Sequence, residues 1–103
     1  MSELFEKRAK FTRHFPTLIN EMIAHGYTPL IGKDGLPHKK NSLHYEGLAV
    51  DIDLFRDGVY LTKTSDHKIF GKFWKSLDSD CCWGGDFSRS DGNHYSVTFD
   101  KRK

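Results

Sequence analysis

Long apolar runs, a marked excess of one charge and well-spaced cysteines are all missing from this chain of 103 residues. No apolar run approaches the roughly 18 residues of a membrane-spanning helix, so no membrane insertion is expected. Glu3 and Glu6 stand where a secretion signal peptide needs an unbroken apolar stretch, which predicts a soluble protein made in the cytoplasm. Lys and Arg number 16 against 14 Asp and Glu, and these charges are interspersed. Only Asp100-Lys101-Arg102-Lys103 is concentrated, and it reads as a solvated end, so no nucleic-acid partner is expected. The two cysteines, Cys81 and Cys82, are neighbours; a disulfide between them would be strained, and structural zinc sites space their cysteines more widely. They read as reduced thiols that pack as small apolar side chains. A chain of this length buries roughly 65% of its unfolded surface, enough for one modest core, so residues 1–103 are expected to form one domain.

What is present is organised around Ser42-Leu43-His44-Tyr45-Glu46-Gly47-Leu48-Ala49-Val50-Asp51. His44 and Asp51 are seven positions apart. On a straight strand that separation is roughly 23 Å, and on a helix about 10.5 Å, both far beyond the ~4 Å that two ligands of one zinc can span. The chain must therefore fold back between them, and Gly47 is the residue best able to let it.

The remaining elements follow from pattern. Ser2 caps a helix beginning at Glu3, with Phe11, Phe15, Leu18, Ile19, Met22 and Ile23 on one face. Pro16 predicts a kink or a new start near Phe15, and Gly26 a stop. Residues 27–31 read as a short edge strand because of Pro29, followed by a cationic loop over residues 32–41. Alternation from Leu48 to Phe55 makes a half-buried strand with Asp51 away from its apolar side, and Asp57-Gly58 makes a hairpin to Val59-Tyr60-Leu61. Thr64 or Ser65 caps a second helix whose stripe is Ile69, Phe70, Phe73, Trp74 and Leu77, with His67 facing solvent. Trp83-Gly84-Gly85-Asp86-Phe87 is a glycine-broken turn. A last strand from near Asn93 puts His94, Ser96 and Thr98 on one face. His94 is then the natural third ligand, and Asp91, three positions earlier, is close enough to serve a metal-held water as base. Two histidines and a carboxylate leave a tetrahedral zinc one open position, as catalytic sites do.

These residues, Ser42-x-His44-x-x-Gly47-x-Ala49-x-Asp51, then Trp83-Gly84-Gly85-Asp86, then Asp91-x-x-His94, resemble in order the zinc peptidases that include D-Ala-D-Ala carboxypeptidases and phage L-alanyl-D-glutamate endolysins. Gly92-Asn93-His94-Tyr95 and the Leu54-to-Gly58 hairpin look most like small phage-encoded members. The resemblance implies an α+β fold in which a small antiparallel sheet carries the zinc site and packs against two helices, as in the zinc-binding domain of Hedgehog proteins. It implies one catalytic zinc ion held by His44, Asp51 and His94, with Asp91 as base, and peptidoglycan stem peptide as substrate. A monomer is expected, made in the cytoplasm of the host or producing bacterium and acting on the wall after release.

The chain departs from the family pattern in lacking an arginine upstream of Ser42, since none lies between Arg13 and Arg56. Ser42, Lys33, Lys39, Lys40 and Trp83 are the substrate-binding candidates that remain. A lysine is a point charge and does not reproduce a bidentate guanidinium. The alternative is accordingly a non-catalytic, zinc-stabilised module that binds a wall peptide or a protein.

Overall fold

A computed structural model describes residues 2–32 and 42–103. Ser2 opens helix α1, Glu3–Ala24, by accepting the Phe5 N–H on its Oγ at 3.2 Å. The helix runs through Pro16 without the break the sequence predicts. Proline removes the N–H that would bond the Thr12 carbonyl, but both residues are exposed, where water can take the freed oxygen. Meanwhile Leu18 and Met22, fully buried, keep the helix docked in the turns that follow Pro16. The stop falls as expected. Gly26 N–H bonds Ile23 O at 2.9 Å and Tyr27 N–H bonds Met22 O at 3.1 Å, the paired bonds of a Schellman cap.

The fold is α+β, with an open antiparallel sheet built around its longest strand. Strand β1, Thr28–Ile31, lies on the edge, where Pro29 costs no ladder bond. Strand β2, Ala49–Arg56, pairs with β1 through residues 52–55 and with β3, Val59–Leu61, through residues 54–56. Asp57 and Gly58 turn that hairpin with φ of 51° and 78°, the positive values a tight two-residue hairpin needs. Residues 49–51 of β2 pair with β5, His94–Val97. Strand β4, Cys81–Trp83, pairs with β5 on its other side and is a strand that local pattern does not announce. All four residues of β5 are buried, and His94, 6% exposed, lies on the wall of a cleft.

The second helix begins later than its capping residues suggested. Thr64 and Ser65 lie inside a 3-10 turn, Thr64–His67, and helix α2 is Lys68–Leu77. The N–H satisfied at the start is that of Lys63, taken by Asp66 Oδ2 at 3.0 Å. Phe70 and Trp74 are fully buried, with Phe73 and Leu77 packed beside them, whereas Ile69 is 52% exposed. At about 100° per residue, Ile69 falls to the flank of a stripe whose phase Phe70 and Trp74 set. These side chains join Leu18, Met22, Ile52, Leu54, Tyr95 and Val97 in one core. Trp74 Nε1 donates to Ser96 O at 2.9 Å, tying α2 to β5. No helix among the described residues is long and apolar enough to cross a membrane.

His67 is a correction. It was expected at the solvent, yet it is 3% exposed with Nδ1 2.8 Å from the Tyr95 hydroxyl. The 3-10 turn rotates it inward, and burial holds its pKa below the ordinary histidine value against the raising effect of Asp66, Asp53 and Asp91. A depressed histidine pKa means the unfolded chain binds the proton more readily, so stability is full above about pH 6.5 and falls as pH drops below it. Urea unfolding on both sides of that value is expected to show a larger acid loss for the wild type than for His67→Phe. Equal losses would assign the pH dependence to another group.

Candidate metal centre

The site is assembled by one turn and one register. Ser42 Oγ accepts the His44 N–H at 3.2 Å and starts a 3-10 turn, Leu43–Glu46, whose buried Leu43 anchors it. Gly47 closes the turn at φ 72°, a left-handed conformation costly for other residues, and Leu48 N–H reaches back to Leu43 O at 3.0 Å. The chain thus reverses between His44 and Asp51 as their spacing requires. In β2, Asp51 stands directly across from His94 of β5, and Ala49 across from Ser96. Cross-strand partners share a face with Cβ atoms about 5 Å apart, so pairing alone delivers the second histidine.

His44 Nε2 lies 3.5 Å and His94 Nδ1 3.8 Å from Asp51 Oδ1. All three residues offer ligand atoms within 4.8 Å of one another. Ligands about 2.05 Å from a tetrahedral zinc stand about 3.3 Å apart, so the two contacts to Asp51 need only a few tenths of an ångström of adjustment, whereas ligand atoms as much as 4.8 Å apart must close by about 1.5 Å. Two imidazole nitrogens and one carboxylate oxygen form a donor set that suits zinc and leaves it an open position. The donor set therefore fits zinc. Phe87 packs against the His94 ring at 5.2 Å between centroids, and the two histidine rings lie 5.3 Å apart. Such contacts orient ligands that would otherwise rotate.

The site opens into a cleft of about 870 Å³, lined among the described residues by Ser42, His44, Asp91 and His94 together with Arg89 and Arg102. Asp91 is exposed, and its backbone fixes the turn: its N–H bonds Gly84 O at 2.9 Å and its carbonyl accepts the His94 N–H at 3.1 Å.

Of the substrate-binding candidates, Ser42 is both a turn cap and part of the cleft wall. Lys33, Lys39 and Lys40 lie outside the described residues. Trp83 is a correction: it is 6% exposed and belongs to the core, with its indole N–H donated to Gly92 O at 2.7 Å. It supports the Asp91-to-His94 turn from beneath. Cys81 and Cys82 are free thiols, and burial pushes the Cys81 thiol up to about 12, so it stays protonated as a packing group. Arg89 and Arg102 had no assigned role. Their only sequence signal is proximity to the Asp91-x-x-His94 element, and the tail holding Arg102 reads locally as a solvated end.

A reversed turn and a paired strand bring His44, Asp51 and His94 into a cluster that could hold a metal ion, with both histidines on the wall of an open cleft. A family model described as D-alanyl-D-alanine carboxypeptidase matches residues 37–97, which is 61 of the 103 residues and includes His44, Asp51, Asp91 and His94. The chain belongs to that peptidase family. No curated protein matches it.

Proposed function

We propose that the protein is a zinc-dependent peptidase that hydrolyses peptide bonds in peptidoglycan stem peptides, and that it acts as a small phage-type wall-lytic enzyme. The observation that carries this reading is the convergence of His44, Asp51 and His94 within 4.8 Å, with His44 and His94 at the wall of a cleft that Asp91 also lines. Membership of a peptidase family supports the reaction class.

When bound, zinc supplies a Lewis acid that polarises the scissile carbonyl and acidifies a water. The protein's own residues do the rest. His44, Asp51 and His94 would hold the ion, the first positioned by the Leu43–Glu46 turn and the other two by the pairing of β2 with β5. Asp91 accepts the proton of the attacking water and returns it to the leaving amine, work for which a positioned carboxylate is suited. Phe87, against His94, keeps one side of the site apolar and dry.

The test is digestion of purified murein by the zinc-loaded protein, with products identified by mass spectrometry. Release of peptide fragments, abolished by a chelator and restored by zinc, is expected. Wall binding without any fragment release would instead identify a zinc-stabilised binding module.

A further inference from the structure

We propose that a small polar pocket, separated from the catalytic cleft by the turn that carries Asp91, is a saccharide subsite that takes an uncharged pyranose of the glycan from which a stem peptide hangs. The inference rests on the peptidase reading and adds a second part of the substrate to it.

The pocket comes from a gap in the sheet. On one edge of β2, β5 pairs with residues 49–51 and β3 with residues 54–56, so Ile52 and Asp53 stand between the two partners. The cavity there is about 200 Å³, and its polar lining includes Tyr60, Thr62, Thr64, His67 and Asn93. Gly92 lets its walls meet. A Cβ at that position would sit 2.5 Å from the Thr64 Cα, so the turn before α2 closes directly on the turn that carries the base. Ser90 and Asp91 line both this pocket and the catalytic cleft. A peptide bond at the base and a ring in the pocket can therefore belong to one molecule.

His67 points to a ligand. It is 3% exposed and lines the pocket. Of its two ring nitrogens, only Nδ1 has a hydrogen-bond partner among the described residues, the Tyr95 hydroxyl at 2.8 Å. Buried polar atoms are almost always hydrogen-bonded, so the pocket's occupant must meet the other nitrogen.

Water is the plainer occupant, and roughly seven molecules fit at about 30 Å³ each. The lining selects what can take their place. Its hydroxyls and its amide are uncharged, and burial keeps the imidazole neutral. The charged groups on the wall are Lys63 and Asp91, one of each sign, which favours no ion. Tyr60 gives its proton to Asp53 Oδ1 at 3.2 Å and so offers its oxygen as an acceptor. Groups that mostly both donate and accept suit a ligand that does the same, and sugar hydroxyls reproduce the bonds of the waters they displace. At the mouth, the Tyr60 ring is 50% exposed and stacked on Phe55 at 5.0 Å between centroids. It gives the C–H face of a pyranose an apolar surface beside polar groups.

The experiment compares a stem peptide linked to N-acetylmuramic acid with the same peptide carrying an N-acetyl group in place of the sugar, measuring kcat and KM with zinc-loaded protein. Binding of the free disaccharide of N-acetylglucosamine is followed by amide NMR shifts. The sugar is expected to lower KM about tenfold or more, as two or three neutral hydrogen bonds do, and the disaccharide to shift the amides of Tyr60, Thr64 and Asn93. Tyr60→Ala and Thr62→Val, both at exposed positions, are expected to bring the ratio of the two KM values close to one without loss of kcat on the bare peptide. Equal KM for the two peptides in the wild type, or a sugar preference unchanged in both variants, overturns the saccharide subsite and leaves the peptidase reading standing. Shifts at those amides with no cleavage of either peptide uphold the subsite and overturn the peptidase reading. Neither shifts nor cleavage overturns both.

Discussion

Asp91→Ala protein is expected to bind about one zinc per chain while losing about 100- to 10,000-fold in turnover on murein peptides, the range typical of a general acid–base group. The separation of the two effects follows from the site's construction. The metal donors come from a turn and from two paired strands. Asp91 contributes to the His94 position only through its backbone, by N–H and carbonyl bonds that any residue with a similar conformation makes. Removing the carboxylate leaves those bonds in place. Asp91→Asn is the stricter variant, because it keeps size and hydrogen bonding and removes only the ability to take a proton. Metal content by mass spectrometry and turnover by fragment release check both halves. An active Asp91→Ala protein would reassign the base, and a metal-free one would make Asp91 part of the zinc-holding structure.

The second large effect is expected at a residue with no side chain. A Cβ on Gly84 would run into the Asp91 carbonyl oxygen and would sit 2.7 Å from the His94 Cβ. Neither neighbour is a flexible side-chain end. The Asp91 carbonyl holds the His94 N–H, and Gly84 O holds both the Asp91 and Phe87 N–H groups. Gly84→Ala must therefore push the turn that carries the base away from the strand that carries the ligand. We expect zinc affinity to fall about 10- to 100-fold, as when groups supporting metal ligands are disturbed, and turnover to fall further. Zinc titration against a competing chelator, with a thermal melt to verify folding, measures this. Unchanged affinity in a folded Gly84→Ala protein would show that the turn moves independently of His94.

How much of this was legible in sequence depended on distance along the chain. The reversal between His44 and Asp51 could be inferred because seven residues and one glycine leave few geometries. The face of β2 that carries Asp51 could be read because strand alternation is a local property, and the resemblance to a peptidase family supplied roles for His94 and Asp91. The misreadings all involve contacts between distant residues. His67 precedes α2 by one position, and its inward direction is decided by Tyr95, 28 residues on. Trp83 looked like a pocket aromatic beside two glycines, but one of them, Gly85, is small, together with Gly71 of α2, to let the indole pack, while Gly84 makes room for Asp91 and His94. Strand β4 has three residues and exists only because β5 offers it an edge. Pro16 warned of a break that the burial of Leu18 and Met22 overrides. Arg102 was unreadable for a related reason, since its return to the cleft depends on two positive-φ residues, neither of them glycine.

The pairing of Asp51 with His94 carries a consequence for how the protein comes to be competent. Side chains alternate with a period of two, so sliding β5 by one residue against β2 would set Tyr95 or Asn93 opposite Asp51 and turn the imidazole to the other face. A slipped register leaves His44 and Asp51 together but removes the third ligand. Misassembly is thus discrete, and a chain with a slipped sheet is expected to bind the ion far more weakly than one whose strands are correctly aligned. Loading with the ion is then a selection step: it draws the folding population towards the alignment that binds it best.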